Sequence, residues 1–132
     1  MDAVIAAWQD DPETAERIVH VERVPARRAI TDPLEPPPPP AVAERLAGLG
    51  IDRLYRHQAA AIRRIRAGEH TVIVSGTASG KSLTYQIPIA EALAAGEDAT
   101  ALLLYPTKAL ARDQLRALNR VGTKEMVAAV YD

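Results

Sequence analysis

The chain has 132 residues, 48% of them hydrophobic and 25% charged, with a formal net charge of −1. That is enough for one compact domain and a modest core, and it supplies no global pull toward nucleic acid, which would need a local basic face. Cysteine is absent, excluding disulfides, thiolate-bound zinc and cysteine nucleophiles; no apolar run approaches the roughly 20 residues that span a bilayer, and the N-terminus lacks the basic start of a secretory signal, so no membrane partner is expected and a cytoplasmic setting is the default.

In chain order, the first residues suit a short helix with Val4, Ile5 and Trp8 on one side, interrupted at Asp10, Asp11 and Pro12. Residues 21–40 are rich in proline and arginine and end in the proline run 36–40. Proline fixes φ and lacks a donor, so this stretch is expected to run extended over the surface as a stiff spacer. The expected organisation is therefore an N-terminal extension and proline-rich linker over 1–40, and a folded domain over 41–132.

From Ala41 the apolar period changes. Val42, Leu46 and Leu49 predict a short helix ended by Gly48 and Gly50. A second helix is predicted over 57–67, with Ala61, Ile62 and Ile65 inward, Arg63, Arg64 and Arg66 largely outward, and Gly68 closing it. Residues 71–75, TVIVS, form a β-branched run suited to a buried strand. Beyond a glycine-containing loop, Leu83, Ile87, Ala90 and Ala94 mark one face of a helix that Gly96 ends and Pro88 is expected to kink. Residues 99–105 read as a second buried strand, and a helix from about Lys108 to Asn119 follows with Ala111, Leu115 and Leu118 facing the core. Residues 126–131 read as a third strand. This alternation predicts an α/β fold with a parallel sheet and right-handed crossovers.

The loop between the first strand and its helix is SGTASGKS, residues 75–82. The common phosphate-binding pattern is G-x-x-x-x-G-K-S/T. Here the Gly80-Lys81-Ser82 end is intact, but Ser75 holds the first glycine position and Gly76 lies one residue later. The physical requirements are still met. A strand delivers a turn of small residues (Gly76, Thr77, Ala78, Ser79, Gly80) whose N–H groups converge on an anion, and the next helix adds its positive dipole end. Lys81 is suited to the β- and γ-phosphates and Ser82 to a Mg²⁺ ion. The expected ligand is a nucleoside triphosphate, ATP with Mg²⁺.

Two flanking segments narrow the reading. LYRHQ ends on Gln58 upstream of the loop, and PTKALARDQ, residues 106–114, directly follows the second strand. Together with the loop they resemble the start of a superfamily 2 helicase of the DEAD/DEAH-box type, and among these the bacterial mitomycin-repair DNA helicases and the RecQ4-like group. The resemblance covers about residues 42–132. It implies a partial RecA-like lobe, adenine reading by Gln58, and nucleic-acid contacts from Pro106, Thr107, Lys108 and Arg112, with DNA favoured over RNA. A glutamine amide offers both the donor and the acceptor that match the N6/N7 edge of adenine, and Tyr55 could pack against the base. A hydroxyl, an ammonium and free helix N–H groups at the start of the 108–119 helix suit a nucleic-acid phosphate. Arg112, Arg116 and Arg120 continue a basic ridge along it; such a row also serves as a plain solvated face.

Departures from the family pattern are visible. Ala41 stands where the RNA-helicase members carry an aromatic, and no D-E-x-D/H motif, the carboxylate pair that holds Mg²⁺ and orients water, occurs in the sequence. The chain is therefore expected to be an N-terminal piece of a larger helicase, carrying no catalytic residue of its own. Two alternatives stand beside this reading. A non-catalytic module would bind nucleotide or nucleic acid weakly or not at all, and a small P-loop kinase would need a lid and an acceptor site that the sequence does not display.

Overall fold

The fold was taken from a computed structural model, which describes residues 2–25, 28–76, 79–96, 98–124 and 126–131. The N-terminal helices α1 (Asp2–Asp10) and α2 (Pro12–Ala15) are split where the sequence places Asp11 and Pro12. Asp11 caps α2 by accepting from the Glu13 N–H, and Pro12 takes the first helical turn, where its missing donor costs nothing. The Thr14 hydroxyl donates back to Trp8 O at 2.7 Å, closing the corner. Among the described residues these two helices touch each other and no further element.

The core is built by α3 (Pro40–Gly48), α4 (Arg56–Arg66), α5 (Leu83–Ala94) and α6 (Lys108–Val121). Val42 and Leu46 of α3, Ala59 and Ile62 of α4, Ile87 and Ala90 of α5, and Val121 of α6 form one buried cluster with Leu54. Ala59 and Ala90 keep the facing surfaces of α4 and α5 thin, so Ile62 and Ile87 can be fully enclosed; each such burial stabilises the fold by about 1.5–3 kcal/mol. Leu49, expected on the inner face of α3, is instead its exposed C-cap residue. The α-helical period stops with Gly48, and Gly50 at φ +70° turns the chain so that the Ile51 N–H bonds to Leu46 O.

Strand β1 (Thr31–Asp32) pairs antiparallel with β2 (Leu54–Tyr55), Thr31 opposite Tyr55 and Asp32 opposite Leu54. The backbone carbonyls of an extended, proline-rich stretch have no partners within it, and here arginines and a backbone N–H supply them. Arg56 N donates to Ile30 O, Arg53 Nη2 to Thr31 O, and Arg66 Nη1 to Pro36 O. These bonds cross residue 40, where the linker was expected to hand over to the folded domain.

The runs 71–75, 99–105 and 126–131 carry no ladder among the described residues; the ladder described there is β1–β2. The expected parallel sheet is thus not among these hydrogen-bonded elements. Their side chains nevertheless alternate with a period of two, as extended chain requires. Val72, Val74, Leu102, Leu104, Val127 and Tyr131 are exposed, while Ile73, Leu103, Tyr105, Ala128 and Val130 are half-buried. A parallel sheet is stable when both faces are covered, and here one face is bare, Val127 being 95% exposed.

Candidate functional site

The loop ahead of α5 is organised around Lys81. Its ammonium donates to Ser75 O at 2.9 Å and to Gly76 O at 2.7 Å, and it lies 3.3 Å from the Ser79 hydroxyl. The Ser75 and Ser79 hydroxyls bond to each other at 2.6 Å, so Ser75, standing in the usual glycine position, helps close the turn with its side chain. Gly80 has φ +72°, and a Cβ there would stand 2.5 Å from Gln58 Nε2. Glycine is required on both counts: the left-handed backbone and the close approach of α4. Thr77 and Ala78 lie outside the described residues.

The start of α4 holds the loop from the other side. Gln58 is 2% exposed. Its Nε2 donates to Gly80 O at 2.9 Å, and its Oε1 accepts from Tyr55 N at 2.8 Å. Both ends of the amide that could face an adenine edge are therefore engaged with backbone. His57 Nε2 lies 3.2 Å from Ser79 O, and with a carbonyl opposite it that nitrogen is the donor. The His57 ring stacks on Tyr55, centroids 5.8 Å apart and planes inclined by 8°. The role of His57 was missed in the sequence, where the only signal was its position beside Gln58; a contact across 22 residues leaves no local trace.

Ser82 is the N-cap residue of α5, its side chain making no capping bond and its carbonyl accepting from Gln86 N. An ammonium at the centre of a turn of small residues, a glycine that a methyl group would block, and a hydroxyl at the first helical turn together fit a nucleotide phosphate chain with its cation. Among the described residues no cluster of three His, Cys, Asp or Glu side chains could hold a metal on its own. No helix among the described residues is long and apolar enough to cross a membrane.

Pro106, Thr107, Lys108 and Arg112 are all exposed at the start of α6. Thr107 has an extended backbone (φ −140°, ψ 148°), and its hydroxyl accepts from Leu110 N at 3.2 Å. That N-cap explains the threonine without a ligand, and it leaves the exposed end of the helix framed by Lys108 and Arg112. The Arg116 guanidinium pairs with Asp113 on the same helix, which takes it out of a simple basic ridge.

Comparison with known proteins accounts for the order of these parts. The chain is 41% identical over 110 residues to the uncharacterized ATP-dependent helicase YprA of Bacillus subtilis, covering 80% of this chain and 14% of YprA. It is 40% identical over 87 residues to the ATP-dependent helicase HRQ1 of Saccharomyces cerevisiae, covering 64% of this chain and 8% of that protein. The crystal structure of the DUF1998 helicase MrfA bound to DNA and AMPPNP superposes with a TM-score of 0.74 at 35% identity, over 92% of this chain and 16% of MrfA. The chain thus spans a small part of the length of the relatives it matches. The DEAD/DEAH box helicase profile matches residues 55–132, from the tyrosine beside Gln58 through the Lys81 loop and the Thr107 cap, and the chain belongs to the DEAD/DEAH box helicase family.

Proposed function

We propose that this chain supplies the ATP-binding start of an ATP-dependent DNA helicase or translocase acting in DNA repair. The observation that carries the reading is the Lys81 ammonium gathered inside the loop by Ser75 O, Gly76 O and Ser79 Oγ. A phosphate entering there meets a positive charge already in place and a helix N-terminus behind it. Gly76, Thr77, Ala78, Ser79, Gly80, Lys81 and Ser82 hold the phosphates on this reading, with Ser82 completing the Mg²⁺ shell. Gln58 reads the adenine edge once its amide leaves Gly80. Bound Mg²⁺ would neutralise charge on the β- and γ-oxygens.

Pro106, Thr107, Lys108 and Arg112 form the nucleic-acid contact, and the AMPPNP- and DNA-bound state of MrfA supports ATP and DNA as partners. The fold on this reading is a RecA-like lobe whose parallel sheet uses the runs 71–75, 99–105 and 126–131. Residues 1–40 form the extension, strapped to the lobe through β1, and residues 41–132 the lobe itself. The compartment proposed is the cytoplasm.

A second reading is that the 132-residue chain binds nucleotide without turning it over, because the sequence holds no D-E-x-D/H carboxylate pair. Titration of the purified chain with a fluorescent ATP analogue and Mg²⁺ tests the first reading, and a DNA-stimulated phosphate-release assay tests the second. Lys81→Ala is expected to weaken nucleotide binding roughly 10- to 100-fold, the value of one charge-assisted hydrogen bond. Undiminished binding by that variant would exclude the loop as the phosphate site. Negligible ATPase is expected, and turnover abolished by Lys81→Ala would overturn the non-catalytic reading.

A further inference from the structure

Away from the phosphate loop, three polar side chains from three segments meet. Tyr85 of α5 lies 3.0 Å, hydroxyl to hydroxyl, from Tyr105, and donates to Gln114 Oε1 of α6 at 2.8 Å. An amide oxygen can only accept, so the Tyr85 proton points to Gln114 and the Tyr85 oxygen receives the proton of Tyr105. The chain of bonds has one direction: Tyr105 to Tyr85 to Gln114. Burial, and then the bond to Tyr85, push the Tyr105 phenol well above its ordinary range, which keeps it a donor.

The positions of these groups give the chain its interest. Tyr85 lies one turn beyond Lys81, and its N–H bonds to Ser82 O, so the first turn of α5 is built directly on the loop. Tyr105 stands two residues before the Thr107 cap, and Gln114 lies in the same helix as Lys108 and Arg112. Tyr105 also lines an open cavity of about 820 Å³, together with Pro88 and Leu93 of α5 and Ala111 and Leu115 of α6. The two helices share apolar packing through Ile87, Ala90 and Val121, and the hydrogen-bonded chain adds a directional polar connection between them.

We propose that Tyr85 is a positioning residue which, with Tyr105 and Gln114, links occupancy of the Lys81 loop to occupancy of the Pro106–Arg112 surface. This rests on the reading of those two places as the ATP and DNA sites. A phosphate that moves Lys81 and Ser82 moves the Tyr85 hydroxyl with them. The two sites then share a coupling free energy, felt equally from either side.

The test measures affinity of the whole 132-residue chain for fluorescein-labelled single-stranded DNA, with and without a saturating non-hydrolysable ATP analogue and Mg²⁺. The ratio of the two dissociation constants is the coupling. Tyr85→Phe keeps the ring and removes the hydroxyl; it is expected to hold each separate affinity within about twofold and bring the coupling ratio close to one. Gln114→Leu should lower the same ratio, the double variant should lower it no further, and Gln114→Glu, which keeps an acceptor, should restore it. A coupling ratio unchanged by Tyr85→Phe overturns the proposal. So does a parallel fall of both affinities and of the melting temperature, which marks a purely structural tyrosine. Wild-type chain that binds both ligands with a ratio of one overturns this inference alone, whereas wild-type chain that binds neither overturns the proposed function and the inference with it.

Discussion

Replacing Gly80 with alanine perturbs the loop at the point where two elements meet most closely, and its cost separates into parts that can be measured apart. The backbone at Gly80 has φ +72°, where an L-residue loses about 1–2 kcal/mol against glycine. The added Cβ would also lie 2.5 Å from Gln58 Nε2, so the amide must leave. The amide sits at the end of a flexible side chain, but it is 2% exposed and bonded at both ends, so moving it breaks a buried hydrogen bond and orphans its partners. That contributes a further 1–3 kcal/mol or so, for a total of about 2–5 kcal/mol. Urea unfolding of wild type, Gly80→Ala, Gln58→Ala and the double variant closes a thermodynamic cycle. In the Gln58→Ala background the clash is gone, and Gly80→Ala should cost only its backbone share, leaving a coupling of about 1–3 kcal/mol. An equal cost of Gly80→Ala in both backgrounds would refute the Gln58–Gly80 contact as the reason glycine stands there.

The pair joining α4 to α5 offers a second check. Arg66 meets Glu91 through two bonds, Nε to Oε2 at 2.9 Å and Nη2 to Oε1, with the side chains only 19% and 12% exposed. Glu91→Met should destabilise by about 3 kcal/mol, because it strands a largely buried guanidinium, while Arg66→Met with Glu91→Met should recover most of that loss in the same urea assay. The Tyr105 phenol makes an alkaline prediction. Its folded pKa is raised above the unfolded value of about 10, so its contribution to stability is complete below that pH and is lost as pH rises toward the folded value. Far-ultraviolet circular dichroism followed upward from pH 9 should show unfolding that Tyr105→Phe shifts to higher pH, and an unshifted profile would count against the phenol as its cause.

Much of the architecture can be read locally. The four core helices lie within a few residues of where apolar spacing places them, since helical period and glycine stops are written in neighbouring residues. The strand runs show the other side of this. Their alternation is legible, but ladder formation depends on what covers each face, and no local pattern states that. The linker shows the same division. Proline predicts an extended course over 36–40, while the bonds that strap residues 30–36 to Arg53, Arg56 and Arg66 depend on distant donors.

The candidate site divides along the same line. The proposal that residues 75–82 cradle a phosphate rests on residue types at fixed spacing, because small residues, a lysine and a helix start act within one turn of chain. That Gln58 is held by Gly80, that His57 grips Ser79, and that Tyr85 reaches Gln114 through helix packing were decided by the tertiary structure alone. Hydrogen bonds between residues more than 20 positions apart depend on how helices pack, and packing is settled by the shape of the whole core rather than by any one segment.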